Sequence, residues 1–238
     1  MKLGIGVPHA ETSNAICENV HAMRERLASA ARSAGRLSGA VTLVGVTKKH
    51  SRASALAAIE CGLADIAENY VQEARPKLAG VAGARKHFIG HIQTNKAKAI
   101  VETFDCVQTI DRLDAGRAIA RAARALGKPV TALVQVNISP VDRFGVAPED
   151  AAELARALRD DEGLEIAGVM AIGPNTTDRA DVTRAFAIAA RTYAAVGGDT
   201  LSIGMSADFE EAIASGSTMV RIGTALFGSR TTDGGDAR

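Results

Sequence analysis

From residue 41 to residue 223, short apolar runs rich in β-branched residues alternate with segments of helical periodicity, and the alternation repeats eight times. Nothing else in the chain restricts its fold so severely. The runs fall at 41–47, 64–67, 87–90, 105–110, 130–138, 165–172, 200–204 and 219–223, with one helical segment between each consecutive pair. Ser51 is placed to cap the first of these helices and Gly62 to stop it. Asp111 and Gly127 frame the fourth, and Pro148 sits near the start of the fifth, where a missing N–H costs little. A right-handed series of eight βα units predicts a (β/α)8 barrel. An open doubly wound sheet is the alternative, because a count of strands does not establish closure.

Residues 14–34 predict an additional N-terminal helix from the spacing of Ile16, Val20, Met23, Leu27, Ala30 and Ala31, with Gly35 to end it. No composition shift, linker or low-complexity stretch divides the remainder. The expected organisation is a single barrel domain over 14–230, with flexible ends at 1–13 and 231–238. The chain has no Trp, two Tyr and six Phe among 238 residues, which leaves Ala, Val, Ile and Leu to fill the interior, as in parallel sheets covered by helices.

A formal net charge of +1 gives no general attraction to nucleic acid or membrane. Arg24, Arg26, Arg32 and Arg36 lie among His21 and Glu25, which predicts a solvated helix face. No stretch reaches the roughly 18 apolar residues of a membrane span, and the start carries too short an apolar run for a secretory signal. A cytoplasmic protein is expected. Cys17, Cys61 and Cys106 are odd in number, far apart and without metal-ligand spacing. They are expected to be buried small hydrophobes in a reducing compartment, not disulfides.

In a barrel the chemistry gathers where strands end and βα loops begin. Lys48 and Lys49 finish the first run and point to opposite faces, so periodicity does not say which one enters the barrel. An apolar site lowers a lysine's pKa and exposes a nucleophilic amine, although lysines also commonly finish strands and simply reach solvent. Asn69 follows the second run, Met170 ends the sixth, Ser206 follows the seventh, and Arg221, Gly223 and Thr224 belong to the eighth. Ser206 with Asp208, Glu210 and Glu211 also reads as an ordinary helix start, and Gly223–Thr224 as a simple turn. Together they supply backbone N–H groups and hydroxyls after strands 7 and 8, where barrels frequently bind phosphate. Arg221 adds a charge that suits a phosphate or a ring nitrogen, and spacing does not choose. His91 reads equally as an acid–base group or a loop residue, and His87 as structural. No metal-ligand cluster or Ser–His–Asp arrangement stands out.

The segments VGVTK (44–48), ENYVQEARPK (68–77), HFIGHIQTNK (87–96), TIDR (109–112), QVNIS (135–139), GVMAI (168–172) and LSIGMSADFEEAIASGSTMVRIGTALFG (201–228) run from the first strand to the last. In them the chain resembles the pyridoxal phosphate homeostasis proteins, single-domain relatives of the barrel domain of alanine racemase. The resemblance implies a TIM-type, alanine racemase N-terminal domain-like barrel that binds pyridoxal 5'-phosphate (PLP) as a Schiff base. It assigns that bond to Lys48, sets Asn69 beside the cofactor ring and Met170 near it, and gives the phosphate end to Ser206, Arg221, Gly223 and Thr224. Two positions depart from the family pattern: Ala67 where Gly is usual, and Arg143 in PVDRFG where a lysine is usual.

The function implied is a PLP carrier in intracellular vitamin B6 homeostasis that supplies apo-enzymes by transient contact, without significant turnover of its own. Two-domain alanine racemases add a β-rich domain and a catalytic tyrosine from the partner subunit. A chain that stops after its eighth strand is expected to lack that acid–base group and to be a monomer. The alternatives are a weak PLP-dependent amino-acid racemase and a PLP-free barrel that binds a sugar phosphate, leaving Lys48 without a covalent partner.

Overall fold

A computed structural model describes residues 9–141 and 143–228. Helix α1 (His9–Ser33) precedes eight strands: β1 (Thr42–Val46), β2 (Asp65–Glu68), β3 (Arg85–Phe88), β4 (Cys106–Ile110), β5 (Thr131–Val136), β6 (Glu165–Ala171), β7 (Thr200–Ser202) and β8 (Met219–Ile222). The helices that follow them are α2 (Arg52–Glu60), α3 (Val71–Leu78), α4 (Ala97–Thr103), α5 (Leu113–Leu126), α6 (Ala151–Asp160), α7 (Arg179–Val196), α8 (Phe209–Ala214) and the short α9 (Thr224–Phe227). All strands are parallel, each pairs with its successor, and β8 pairs with β1 through Val44 opposite Arg221. The sheet is therefore a closed (β/α)8 barrel, and the open alternative falls.

Local chemistry explains where the elements stop and start. The Ser51 hydroxyl accepts the Ser54 N–H at 3.1 Å, capping α2 as expected. Gly127 takes the left-handed conformation that closes α5, with φ of 58°. The start of α5 differs from the expectation: its N-cap is Arg112, and the Asp111 carboxylate bonds that arginine's side chain at 2.9 Å instead. Strand β3 also begins earlier than its apolar signal, because Arg85 and Lys86 carry ladder pairing without being apolar.

Along β1, side chains alternate between two cores. Leu43 belongs to the large shell between strands and helices, while Val44 and Val46 join Ala67 and Met219 in a small cluster within the barrel. The outer shell carries most of the apolar burial. Helix α1 contributes Ile16, Val20, Met23, Leu27 and Ala31, all buried, which is the stripe its spacing predicts.

Helix α1 starts at His9, earlier than the expected 14, while the rest of the predicted flexible N-terminus and the 231–238 tail lie outside the described residues. Arg24, Arg26 and Arg32 are exposed, as expected of a solvated face, and Arg36 lies just past the helix. Arg24 donates to Gly62 O at 2.6 Å, Arg36 to Ser217 O at 2.7 Å, and Arg26 pairs with Glu210 at 3.3 Å. The cysteine expectation needs correction as well: Cys17 and Cys61 form a disulfide, with Cα atoms 5.2 Å apart. Packing of α1 across the end of α2 brings together two residues that sequence separation made look unrelated. Cys106 is free and buried, and burial pushes its thiol up to about 12, so it is inert as a nucleophile. Among the described residues, no helix is long and apolar enough to cross a membrane.

Candidate functional site

The seven residues singled out from sequence lie on, or just beyond, the C-terminal ends of β6, β7, β8, β1 and β2, a contiguous arc of the closed barrel. Lys48 is half-buried immediately after β1. Lys49 is exposed and takes a left-handed φ of 64°, so the strand has already ended there and its side chain leaves for solvent. That difference separates two lysines that periodicity left equivalent.

The backbone carrying Lys48 is held from below. Thr47 is buried; its N–H donates to Ala67 O at 3.0 Å and its hydroxyl to Glu68 Oε1 at 2.5 Å. Lys77 Nζ donates to the same Glu68 oxygen at 2.8 Å and to Thr47 O at 2.9 Å. Glu68 is fully buried, and its other oxygen, Oε2, has no hydrogen-bond partner; the neighbouring Asn69 Oδ1 is likewise buried and unpartnered. Two orphan acceptors on consecutive residues are costly unless a ligand or water brings donors to them.

The other side of the arc is built by glycine and by helix starts. At Gly204 the φ is 98°, and a Cβ there would lie 2.6 Å from the Ala212 Cβ. Only glycine lets α8 begin so close over the end of β7. In the turn that follows, the Met205 N–H donates to Asp208 Oδ1 at 2.6 Å, and Asp208, not Ser206, occupies the N-cap position. This leaves the half-buried Ser206 hydroxyl unused by the helix it precedes. After β8, Gly223 is the N-cap of α9, whose first N–H groups have no intrahelical acceptor. Thr224 is exposed beside them.

Arg221 and Met170 lie deeper. Met170 is buried, paired across the ladder with Gln135 and Ser202. The Arg221 guanidinium donates to Ser202 O and Ser202 Oγ, both at 2.7 Å, and to Ala171 O at 2.9 Å. Burial pulls its pKa down to about 10, against the opposing charge of Asp208. Asp208 is itself pushed up from the usual carboxylate range by burial, with the Met205 N–H and Arg221 acting the other way. Arg221 is thus tied inside the barrel wall, not out in the loop that follows it.

His91 is at the rim, its ring 4.2 Å from that of Phe144 and its Nδ1 3.9 Å from Asp111. His87, expected to be structural, is fully buried and hydrogen-bonded to Asp65 and Gln108. The sequence did not single out Lys77, Gln108 or Ser202. The last two carry a readable sign, a polar residue inside the otherwise apolar runs CVQTI and TLSIG. Among the described residues, no group of His, Cys, Asp and Glu is arranged to hold a metal ion.

The alanine racemase N-terminal domain family matches residues 15–231. A pyridoxal phosphate homeostasis protein of Pseudomonas aeruginosa is 41% identical over 220 residues, spanning 90% of this chain and 96% of the relative. Its Escherichia coli K12 counterpart of the same name is 38% identical over 231 residues, 91% and 97% of the two chains. Among solved structures, PipY of Synechococcus elongatus with PLP bound superposes with a TM-score of 0.76 at 30% identity, over 90% of this chain and all of that one.

Proposed function

Because this chain belongs to the pyridoxal phosphate homeostasis proteins of the alanine racemase N-terminal domain family, we propose that it binds PLP and serves as a cytoplasmic carrier in vitamin B6 homeostasis. The observation that carries this reading is the arc itself. A half-buried lysine and two unpartnered acceptors stand at one end, and glycine-shaped helix starts with unused hydroxyls at the other. An aldehyde bearing a phosphate fits that division. PLP supplies an aldehyde with which a lysine amine condenses, expelling one water as the C=N bond forms.

Lys48 provides the amine, and the Thr47–Glu68–Lys77 contacts fix the strand end from which it extends. Asn69 Oδ1 accepts a donor at the ring's edge, and Met170 supports the ring from the barrel wall. Ser206, Gly223 and Thr224 hold the phosphate with hydroxyl and N–H donors. Arg221 is assigned to the ring end in this reading, instead of the phosphate end that the resemblance implies, because its ties to Ala171 and Ser202 draw it inward. In this reading the site retains and releases PLP without significant turnover, and release passes PLP to apo-enzymes on transient contact. We read the chain as a monomer in this role.

The test compares absorption spectra of PLP-loaded wild type and Lys48→Ala, with borohydride reduction and peptide mapping. A band lost in the variant, with reduced pyridoxyl on Lys48, is the expected result. A loaded wild type without that band, or label spread over surface lysines, refutes the assignment. Incubation with L-alanine in deuterated water then separates carrier from racemase: deuterium at Cα at a catalytic rate would overturn the carrier reading.

A further inference from the structure

A line of hydrogen bonds crosses the barrel interior. It begins at Asp65, the first residue of β2, whose Oδ1 is 2.8 Å from His87 Nε2. His87 Nδ1 is 2.9 Å from Gln108 Nε2, Gln108 Oε1 is 2.8 Å from Ser202 Oγ, and Ser202 Oγ is 2.7 Å from Arg221 Nη1. His87, Gln108 and Ser202 are fully buried and Arg221 nearly so, while the Asp65 side chain keeps 16% of its surface in solvent. Five strands contribute one residue each.

With a single proton on the His87 ring, donor and acceptor identities give one direction to every link. A guanidinium has no acceptor, so Arg221 donates to Ser202. The single hydroxyl proton of Ser202 then goes to Gln108 Oε1. This turns the Gln108 NH2 toward His87 Nδ1 and also toward Met219 Sδ, 3.3 Å away. His87 Nδ1 therefore accepts, and the ring proton sits on Nε2, where the Asp65 carboxylate takes it. The opposite orientation of the amide would require N–H at both ring nitrogens to keep the Asp65 bond. A cation at one end and an anion at the other polarise the line in the same sense.

A core filled with aliphatic side chains would need none of these groups, and a half-satisfied set would be worse than none. Here each member is satisfied, and the line ends on the one arginine that the strands carry into the site. No carboxylate lies within ion-pair distance of Arg221 among the described residues, so Ser202 and two backbone carbonyls are what aim it. We propose that His87 and Gln108 are positioning residues for Arg221, acting through Ser202. Their consequence for the cofactor rests on the PLP reading above; the anchoring of the guanidinium does not.

The test is made first on apo-protein labelled with 15N. The His87 ring shifts report its tautomer, and the exchange rate of the Arg221 side-chain N–H protons reports its anchoring. Wild type is expected to show His87 protonated on Nε2 at neutral pH and slowly exchanging Arg221 protons. Gln108→Met keeps the volume and removes the links. It leaves the Ser202 hydroxyl without its acceptor and should speed Arg221 exchange by about ten- to a hundredfold, the factor for losing the Arg221–Ser202 hydroxyl bond along with it. In PLP-loaded protein it should shift the absorption band. Gln108→Glu keeps an acceptor for Ser202 and should restore slow exchange, now with His87 protonated on both nitrogens.

A wild-type His87 carrying its proton on Nδ1 overturns the proposal, and that outcome needs no variant to fold. Unchanged Arg221 exchange in folded Gln108→Met overturns it equally. Should loaded wild type show no band at Lys48, the PLP reading fails, while the apo measurements still decide the relay.

Discussion

Lys77→Met is expected to destabilise the protein severely, although Lys77 lies in no predicted site. Glu68 is fully buried, with Thr47 Oγ1 at 2.5 Å and Lys77 Nζ at 2.8 Å on one oxygen and nothing on the other. Methionine keeps the stem's packing and removes the cation, leaving a buried anion with a single hydroxyl to compensate it. Removing one partner of a buried pair costs about 3–5 kcal/mol, against about 0–1 kcal/mol for an exposed pair. The Lys77 side chain is 11% exposed, which places this pair near the buried limit, unlike Lys98–Glu102 at 74% and 34%. A loss of that size is a large part of the roughly 5–15 kcal/mol that holds a typical domain together. The same change frees the Thr47 carbonyl, one peptide before Lys48, so PLP loading should fall as well. Urea unfolding of apo-protein, followed by circular dichroism for Lys77→Met, Glu68→Gln and the double variant, measures the coupling. The double variant should cost less than Lys77→Met alone, because no uncompensated charge remains. If the two single effects add within about 0.5 kcal/mol, the pair is uncoupled and the reasoning is wrong.

Cys17→Ser should lower stability by about 4 kcal/mol under non-reducing conditions, the chain-entropy value for a loop of 44 residues, and by far less in dithiothreitol; paired urea titrations with and without reductant check it. Gly90→Ala should disturb the site, because its Cβ would fall 1.9 Å from the Asn69 carbonyl oxygen, a backbone atom. A cost of about 1–3 kcal/mol with reduced PLP loading is expected, and loading equal to wild type would show that Asn69's backbone placement is unimportant. Asp208→Asn tests the buried carboxylate: its folded pKa is raised above 3.8, so ionisation costs stability at neutral pH and that cost disappears as pH falls through the raised pKa. The variant should be the more stable protein at pH 7, with the difference closing below pH 3.8; a constant difference across that range would contradict the assigned shift.

The fold was legible because its signal is repeated and apolar: each run had only to be recognised as a strand, and the βα order then limited the topology. Boundaries failed where ladder positions are polar, as at Arg85 and Lys86, or where a carboxylate found a better partner than the helix start, as at Asp111. The placement of Lys48, Asn69, Met170, Ser206, Arg221, Gly223 and Thr224 at strand ends was readable from the same repeat. Their supports were not. Lys77 reaches Glu68 from a helix nine residues on, and Gln108 meets Ser202 across 94 residues. Cys17 meets Cys61 only because α1 lies across α2. No periodicity encodes such contacts, since they depend on how finished elements pack.

The proposed site requires closure of the sheet. Lys48 follows the first strand and the Gly223–Thr224 turn follows the last. Neighbouring strands lie about 4.8 Å apart, so an open sheet in the same strand order would hold β1 and β8 roughly 34 Å from each other. No molecule of coenzyme size could then touch both ends. The pairing of Thr42–Gly45 with Met219–Ile222 makes those two strands neighbours, and it brings Lys48 and the Gly223–Thr224 turn to adjacent positions on one rim. Damage to the β1–β8 seam should therefore abolish cofactor binding before it abolishes helical structure, because the helices pack locally whereas the proposed site spans the seam.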